Sequence, residues 1–153
     1  RPVEQVDGTA AEEAILAVLG KYGISPGSVE LWGTGTPLRE FLWSEDMADA
    51  CVHVMEQVDF SQLKGEDRNV RNCHINIGTG KEISIGDLAR LIAATEDYRG
   101  KLVFNADKPD GTMRKLTDVS KLHSLGWKHR VELEEGVERI YRWYLGRTAE
   151  AGN

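Results

Sequence analysis

Two stretches concentrate the side chains that can do chemistry. In Trp32-Gly33-Thr34-Gly35-Thr36-Pro37-Leu38-Arg39 a flat aromatic, a glycine turn and a guanidinium follow one another closely. The N–H groups of such a turn can face an anion, and a guanidinium presents a planar fork to phosphate oxygens, so the stretch suits a diphosphate or a ribose. A tight turn after a strand is the plainer reading of the same glycines. In Lys108-Pro109-Asp110-Gly111-Thr112-Met113-Arg114-Lys115 a turn presents two adjacent cations near a carboxylate. The cations can clamp phosphate while Asp110 accepts hydrogen bonds from a base or a sugar hydroxyl. An ordinary charged turn has the same composition.

Other candidate chemistries fall away on spacing. Gly33-Thr34-Gly35 and Gly78-Thr79-Gly80 would need a third small residue three positions on to read as a dinucleotide fingerprint, and Leu38 and Ile83 stand there. The second pair reads as a simple turn. Cys51 and His53 point to different faces of a helix, and Cys73 and His74 to opposite sides of a strand, so neither makes a zinc pair. With only these two cysteines there is no disulfide framework, and both read as reduced, buried small hydrophobes. No metal site and no catalytic residue is assigned. His123 and His129, flanking Gly126-Trp127, read as solvated, and Trp143 and Tyr144 as packing residues.

The elements that must carry these residues alternate. Thr9 and Glu12 form a capping-box pattern for a helix over 10–22, which Gly23 would close. Residues 29–32 read as a strand entering the glycine loop, and 38–43 as extended. Ser44 is placed to cap a helix over 45–58 whose stripe of Met47, Ala50, Cys51, Val54, Met55 and Val58 reads as core. A polar connection over 59–71 leads to a strand over 73–77. Ser84 caps a third helix with Leu88, Leu91 and Ile92 on one face, and a strand covers 101–104. A short helix starting at Asp118 or Ser120 stops at Gly126, and a last helix over 133–145 is expected to bury Val137, Ile140, Tyr141 and Tyr144. Alternating strands and helices predict an α/β fold. Residues 1–28 read as an insertion-like helical segment, 29–147 as the functional domain and 148–153 as a frayed tail.

The chain has 153 residues, 41% of them hydrophobic, enough to bury a core. Its net charge of −6, with cations dispersed, argues against a nucleic-acid or anionic-membrane partner. No apolar run approaches the roughly 20 residues that cross a bilayer. The start at Arg1 lacks both an initiating Met and the apolar core of a signal peptide, so the chain reads as cytoplasmic and as a piece of a longer protein.

The string from Leu31 to Leu42, Leu-Trp-Gly-Thr-Gly-Thr-Pro-Leu-Arg-Glu-Phe-Leu, resembles the segment that GDP-L-fucose synthases carry after their cofactor domain. Asp46-Met47-Ala48-Asp49-Ala50, His74-Ile75-Asn76-Ile77-Gly78-Thr79-Gly80, the Lys108–Thr112 string with Arg114-Lys115, and Leu125-Gly126-Trp127 continue the likeness over about residues 29–145. It implies the C-terminal, substrate-binding part of an extended short-chain dehydrogenase of Rossmann type, without its dinucleotide-binding half. The family epimerises GDP-4-keto-6-deoxy-mannose at C3 and C5, then reduces C4 with NADPH to give GDP-L-fucose. By resemblance Trp32 and Arg39 contact the diphosphate and sugar region and Asp110 and Lys115 belong to the substrate turn; Arg114 joins them by adjacency. The family's Tyr-x-x-x-Lys pair is missing, since none of Tyr22, Tyr98, Tyr141 and Tyr144 has Lys four residues on. The resemblance therefore implies NADP(H) and catalysis in a part that precedes this one, a partner in the rest of the enzyme chain, and a homodimer. It also implies apolar surface left exposed on the helix from Glu45 and on the strand at Ile75. Phe41-Leu42-Trp43-Ser44-Glu45 departs from the family's usual Phe-Leu-His-Val-Asp. A free-standing nucleotide-sugar binding or regulatory module, and an assembly domain with Arg39 and Lys115 as surface charges, are the competing readings.

Overall fold

A computed structural model describes residues 2–64, 70 and 72–151. The chain forms two compact units: residues up to Pro37 together with Ser84–Met113, and Leu38–Ile83 together with residues from Arg114 onward.

The first unit contains α1 (Glu12–Lys21), β1 (Ile24–Ser25), β2 (Ser28–Trp32), α4 (Ile85–Thr95) and β5 (Lys101–Asn105). β1 turns back antiparallel onto β2, and β2 pairs in parallel with β5, from Ser28 opposite Lys101 to Trp32 opposite Asn105. Ser84 caps α4 as the sequence predicts, its Oγ accepting from Asp87 N at 3.0 Å. Ala89, Ile92 and Ala93 of α4 face Val29, Leu31 and Leu102 of the strands around an apolar cavity of about 210 Å³. The capping box at Thr9 does not form. Asp7 Oδ1 instead accepts the Thr9 N–H at 2.9 Å and its hydroxyl at 2.6 Å, a local turn that uses up the cap, and α1 starts behind Ala11.

The second unit contains β3 (Leu38–Arg39), α2 (Ser44–Gln57), α3 (Phe60–Leu63), β4 (Ile83–Ser84, of which Ile83 belongs here), α5 (Ser120–Ser124) and α6 (Leu133–Ala151). Its core is Ala50, Leu122 and Trp127, with Leu42, Val54, Ile75 and Ile77 packed around them. Two carboxylates on α2 tie this core to the segment after α5. The buried Asp46 accepts the backbone N–H of Arg130 and of Val131, both at 2.9 Å, and Asp49 accepts from the Trp127 indole at 2.8 Å.

Several expectations change here. Ser44 makes no cap; α2 begins at Ser44 itself behind Trp43. Of the supposed core stripe only Ala50 is buried, Val54 and Val58 being half-buried, while Met47, Cys51 and Met55, spaced four residues apart, are exposed, Met55 at 85%. The reading of Cys51 as a buried hydrophobe is thus wrong, whereas Cys73 is half-buried. Residues 73–77 pair with no strand among the described residues, yet Cys73, Ile75 and Ile77 still turn inward and His74 and Asn76 outward. Side chains take the place of a neighbouring strand: Lys121 Nζ donates to the carbonyls of Asn72 and His74, and Asn76 Nδ2 to that of Asp118. The 59–71 connection includes α3, whose N-cap Asp59 and Gln62 form a capping box, and residues 65–69 and 71 of it lie outside the described residues. α6 runs on to Ala151, through most of the expected tail. On it Val137 and Tyr141 are half-buried, but Ile140, Trp143 and Tyr144 are exposed. His129 is not solvated: its side chain is 9% exposed, and its Nε2 lies 3.5 Å from Glu132 Oε1.

Candidate functional site

In the first unit the parallel register of β2 and β5 decides what meets. Trp32 and Asn105 end side by side, so the loop after each strand leaves from the same edge, the carboxyl end where α/β sheets gather their ligand loops. Asn105 O accepts from Gly33 N at 2.9 Å and from Lys108 N at 3.1 Å, which starts both loops together. Trp32 is 72% exposed, with Lys108 Nζ 5.2 Å from its ring centroid. Asp110 closes the arrangement: its Oδ1 accepts Thr34 N at 2.8 Å and its Oδ2 accepts the Thr34 hydroxyl at 2.7 Å. The hydroxyl bond first, then the N–H bond, hold the Asp110 carboxyl below its ordinary value against a small opposing effect of burial. Gly33 is obligatory here, since its φ is +83° and a Cβ would overlap Asp110 Oδ1.

This geometry corrects the expectation of an open anion nest. Gly33 N is committed to a carbonyl, Thr34 N to Asp110, and Thr36 N to Thr34 Oγ1 at 3.2 Å, so the loop already holds its anion, a carboxylate from the same unit.

In the second unit Arg39, Phe41, Lys81 and Glu82 line a cavity of about 340 Å³ together with Glu132 and Glu134. Arg39 is half-buried, its Nη1 donating to Leu38 O at 2.6 Å. Lys81 Nζ bridges both oxygens of Glu132 at 2.7 Å. Arg114 is taken up by Glu82 through two parallel bonds of 2.8 Å, so it does not stand open beside Lys115 as the sequence suggests. Lys115 is exposed and makes no hydrogen bond or ion pair among the described residues.

Glu40 is the residue that sequence reasoning missed. Its Oε1 accepts Thr79 N at 2.6 Å and Gly80 N at 2.7 Å, and its Oε2 accepts Thr117 N at 3.0 Å. Burial pushes this carboxyl up, but the Thr117 side chain and the N–H groups of Gly80, Thr117 and Thr79 together outweigh it and leave the group below its ordinary value. A Cβ at Gly78 would overlap Glu40 Oε1, which explains the glycine. The only hint in the sequence is a carboxylate beside Arg39 in an otherwise apolar string.

A dinucleotide pyrophosphate needs free N–H groups at a glycine loop. The N–H groups of Thr34, Thr79 and Gly80 are instead taken up by Asp110 and Glu40.

An α/β chain whose ligand-type loops gather at the carboxyl ends of parallel strands defines a class. The model of the NAD dependent epimerase/dehydratase family matches residues 4–78, just under half of the chain and a stretch that takes in most of the insertion-like segment. The chain is 50% identical over 117 residues to GDP-L-fucose synthase of Escherichia coli (strain K12), covering 76% of this chain and 36% of that protein. Among solved structures it resembles a GDP-6-OMe-4-keto-L-xylo-heptose reductase from C. jejuni, with 46% identity and a TM-score of 0.83 over 88% of this chain and 38% of the other. It also resembles a GDP-mannoheptose C4 reductase from Campylobacter jejuni with NADP bound, at 43% identity and a TM-score of 0.76 over 88% and 37%. The chain thus spans about a third of the length of the relatives it matches. No described helix is long and apolar enough to cross a membrane.

Proposed function

We propose that this chain binds the GDP-sugar substrate of a GDP-L-fucose synthase, an NADP-dependent epimerase/reductase that forms GDP-L-fucose from GDP-4-keto-6-deoxy-D-mannose. The observation that carries the reading is the 50% identity over 117 residues to a GDP-L-fucose synthase, which includes the segments that present Arg39 and Lys115. In this reading Arg39 meets a phosphate by paired N–H bonds and Lys115 adds a mobile point charge. Trp32 offers a flat face to the base or sugar. Asp110 serves chiefly by holding the loop behind Trp32, and Arg114 contributes less because Glu82 neutralises it. NADPH supplies hydride to the C4 ketone when bound; no residue of this chain is assigned to holding it or to the acid–base chemistry. The assembly we propose is a cytoplasmic homodimer.

A second reading has its own support. Two of the similar solved structures, at 46% and 43% identity, are named as reductases of GDP-heptoses, so the sugar can be a 4-keto-heptose while the GDP part of the site stays the same.

Calorimetric titration of the chain with GDP and GDP-mannose, with Arg39→Ala and an NADPH control, tests the proposal. Saturable GDP binding that Arg39→Ala weakens by about 1.5–3 kcal/mol, the scale of a charge-assisted hydrogen bond, is expected. Equal affinity in the wild type and the variant would remove Arg39 from the site.

A further inference from the structure

The segment from Arg114 to Thr117 has no regular secondary structure, yet it carries Lys115. A loop cation is a weak recognition group unless its backbone is fixed, because ordering it on binding costs affinity. Here the segment is held at both ends within its own unit. At one end Arg114 is clamped by Glu82 through two 2.8 Å bonds. At the other Thr117 N donates to Glu40 Oε2 at 3.0 Å. Lys115 stands between the two clamps. The same Glu40 carboxylate also binds the N–H groups of Thr79 and Gly80 through its other oxygen, and it directly follows Arg39 in the chain. Adjacent residues in extended backbone project to opposite sides, so Arg39 can serve the cavity while Glu40 serves the loops.

We infer that Glu40 is a positioning residue for nucleotide recognition, fixing the backbone that presents Lys115 and the Gly78–Gly80 turn beside Arg39. The inference rests on the reading of Arg39 and Lys115 as GDP contacts. Glu40 itself touches no ligand in it; its effect passes through the main chain at Thr117.

The test is GDP affinity by calorimetry for wild type, Glu40→Gln, Gly78→Ala, Lys115→Ala and the two doubles with Lys115→Ala. Gly78→Ala pushes the Glu40 carboxylate off its donors sterically and leaves its charge in place, so it reports even where Glu40→Gln fails to fold. Ordering one long side chain is worth roughly a two- to twelvefold change in affinity, and that is the loss expected for Glu40→Gln or Gly78→Ala in the wild-type background. In the Lys115→Ala background the same changes should alter affinity by less than half as much in logarithmic terms. A role confined to stability would not move with the Lys115 background. Full loss in both backgrounds, or no loss in either while Lys115→Ala alone weakens GDP, overturns the inference but leaves the site reading intact. No effect of Lys115→Ala or Arg39→Ala, or no GDP binding by the wild type, sinks the site reading and this inference with it.

Discussion

Replacing a carboxylate by its amide should cost more at Glu40 than at Asp46, although both side chains hold backbone N–H groups in the second unit. At Asp46 both bonds, from Arg130 N and Val131 N, fall on the single oxygen Oδ2. An asparagine oxygen at that point keeps both and loses only their charge assistance, about 1–2 kcal/mol in all. At Glu40 the bonds are divided, Thr79 and Gly80 on Oε1 and Thr117 on Oε2. Whichever way a glutamine amide is turned, its NH₂ meets an N–H head on. The better orientation keeps Thr79 and Gly80 and strands the part-buried Thr117 N, adding about 1 kcal/mol, the low end of the cost of an unsatisfied donor. Glu40→Gln should therefore be less stable than Asp46→Asn by about that margin. Urea denaturation followed by tryptophan fluorescence, to which Trp127, 4% exposed in the same unit, contributes with Trp43 and Trp143, reads the comparison. Equal midpoints at unchanged slope, or a larger loss for Asp46→Asn, would refute the divided-oxygen argument.

The remaining expectations are smaller in scope. The depressed Glu40 carboxyl makes its stabilisation complete above the unfolded carboxylate value of about 4.3 and lost as pH falls through the lower folded value, so the stability gap between wild type and Glu40→Gln should narrow in acid unfolding below that point. Gly33→Ala should cost about 1–2 kcal/mol for the left-handed backbone alone, and more for the overlap with Asp110, with the Thr34 amide losing protection in hydrogen exchange; unchanged Thr34 protection would count against the Asp110 clamp. The exposed Met47, Cys51 and Met55 face of α2 should bind an apolar dye and promote self-association in sedimentation, and Met55→Glu should reduce both.

Much of this was legible in residue types and their spacing, and the misses have identifiable causes. Local chemistry transferred well: Ser84 caps α4, β2 runs into a glycine loop, and 73–77 keeps its alternation even without a strand partner. Caps failed where a competing acceptor stood nearby, as with Asp7 and Thr9. Helix periodicity located the apolar positions of α2 and α6 but not which of two apolar arcs turns inward, because Met47, Cys51 and Met55 satisfy the period as well as Ala50 and Val54 do. The two patches with candidate chemistry were visible in the sequence, whereas their pairing was not. Thr34 and Asp110 are 76 residues apart and meet only because β2 and β5 are neighbours, a long-range pairing that no local pattern encodes.

Under the proposed function, the two glycine loops constrain how a phosphate would be recognised. In nucleotide-binding proteins such loops commonly offer main-chain N–H groups to the anion. Here Asp110 occupies one loop and Glu40 the other, each bound through main-chain donors and each held below its ordinary carboxyl value by those bonds. A diphosphate would have to displace a carboxylate that is already well hydrogen-bonded, for no gain in charge complementarity. In the proposed reading recognition falls to side-chain cations, and Arg114 is the least suited of these because Glu82 engages its Nε and Nη2. In the proposed reading the half-buried Arg39, which lines a cavity, fixes orientation and the exposed Lys115 adds charge. The internal carboxylates thus act as struts that shape the loops, and under the proposed function any affinity for a phosphate would pass to the cations beside them.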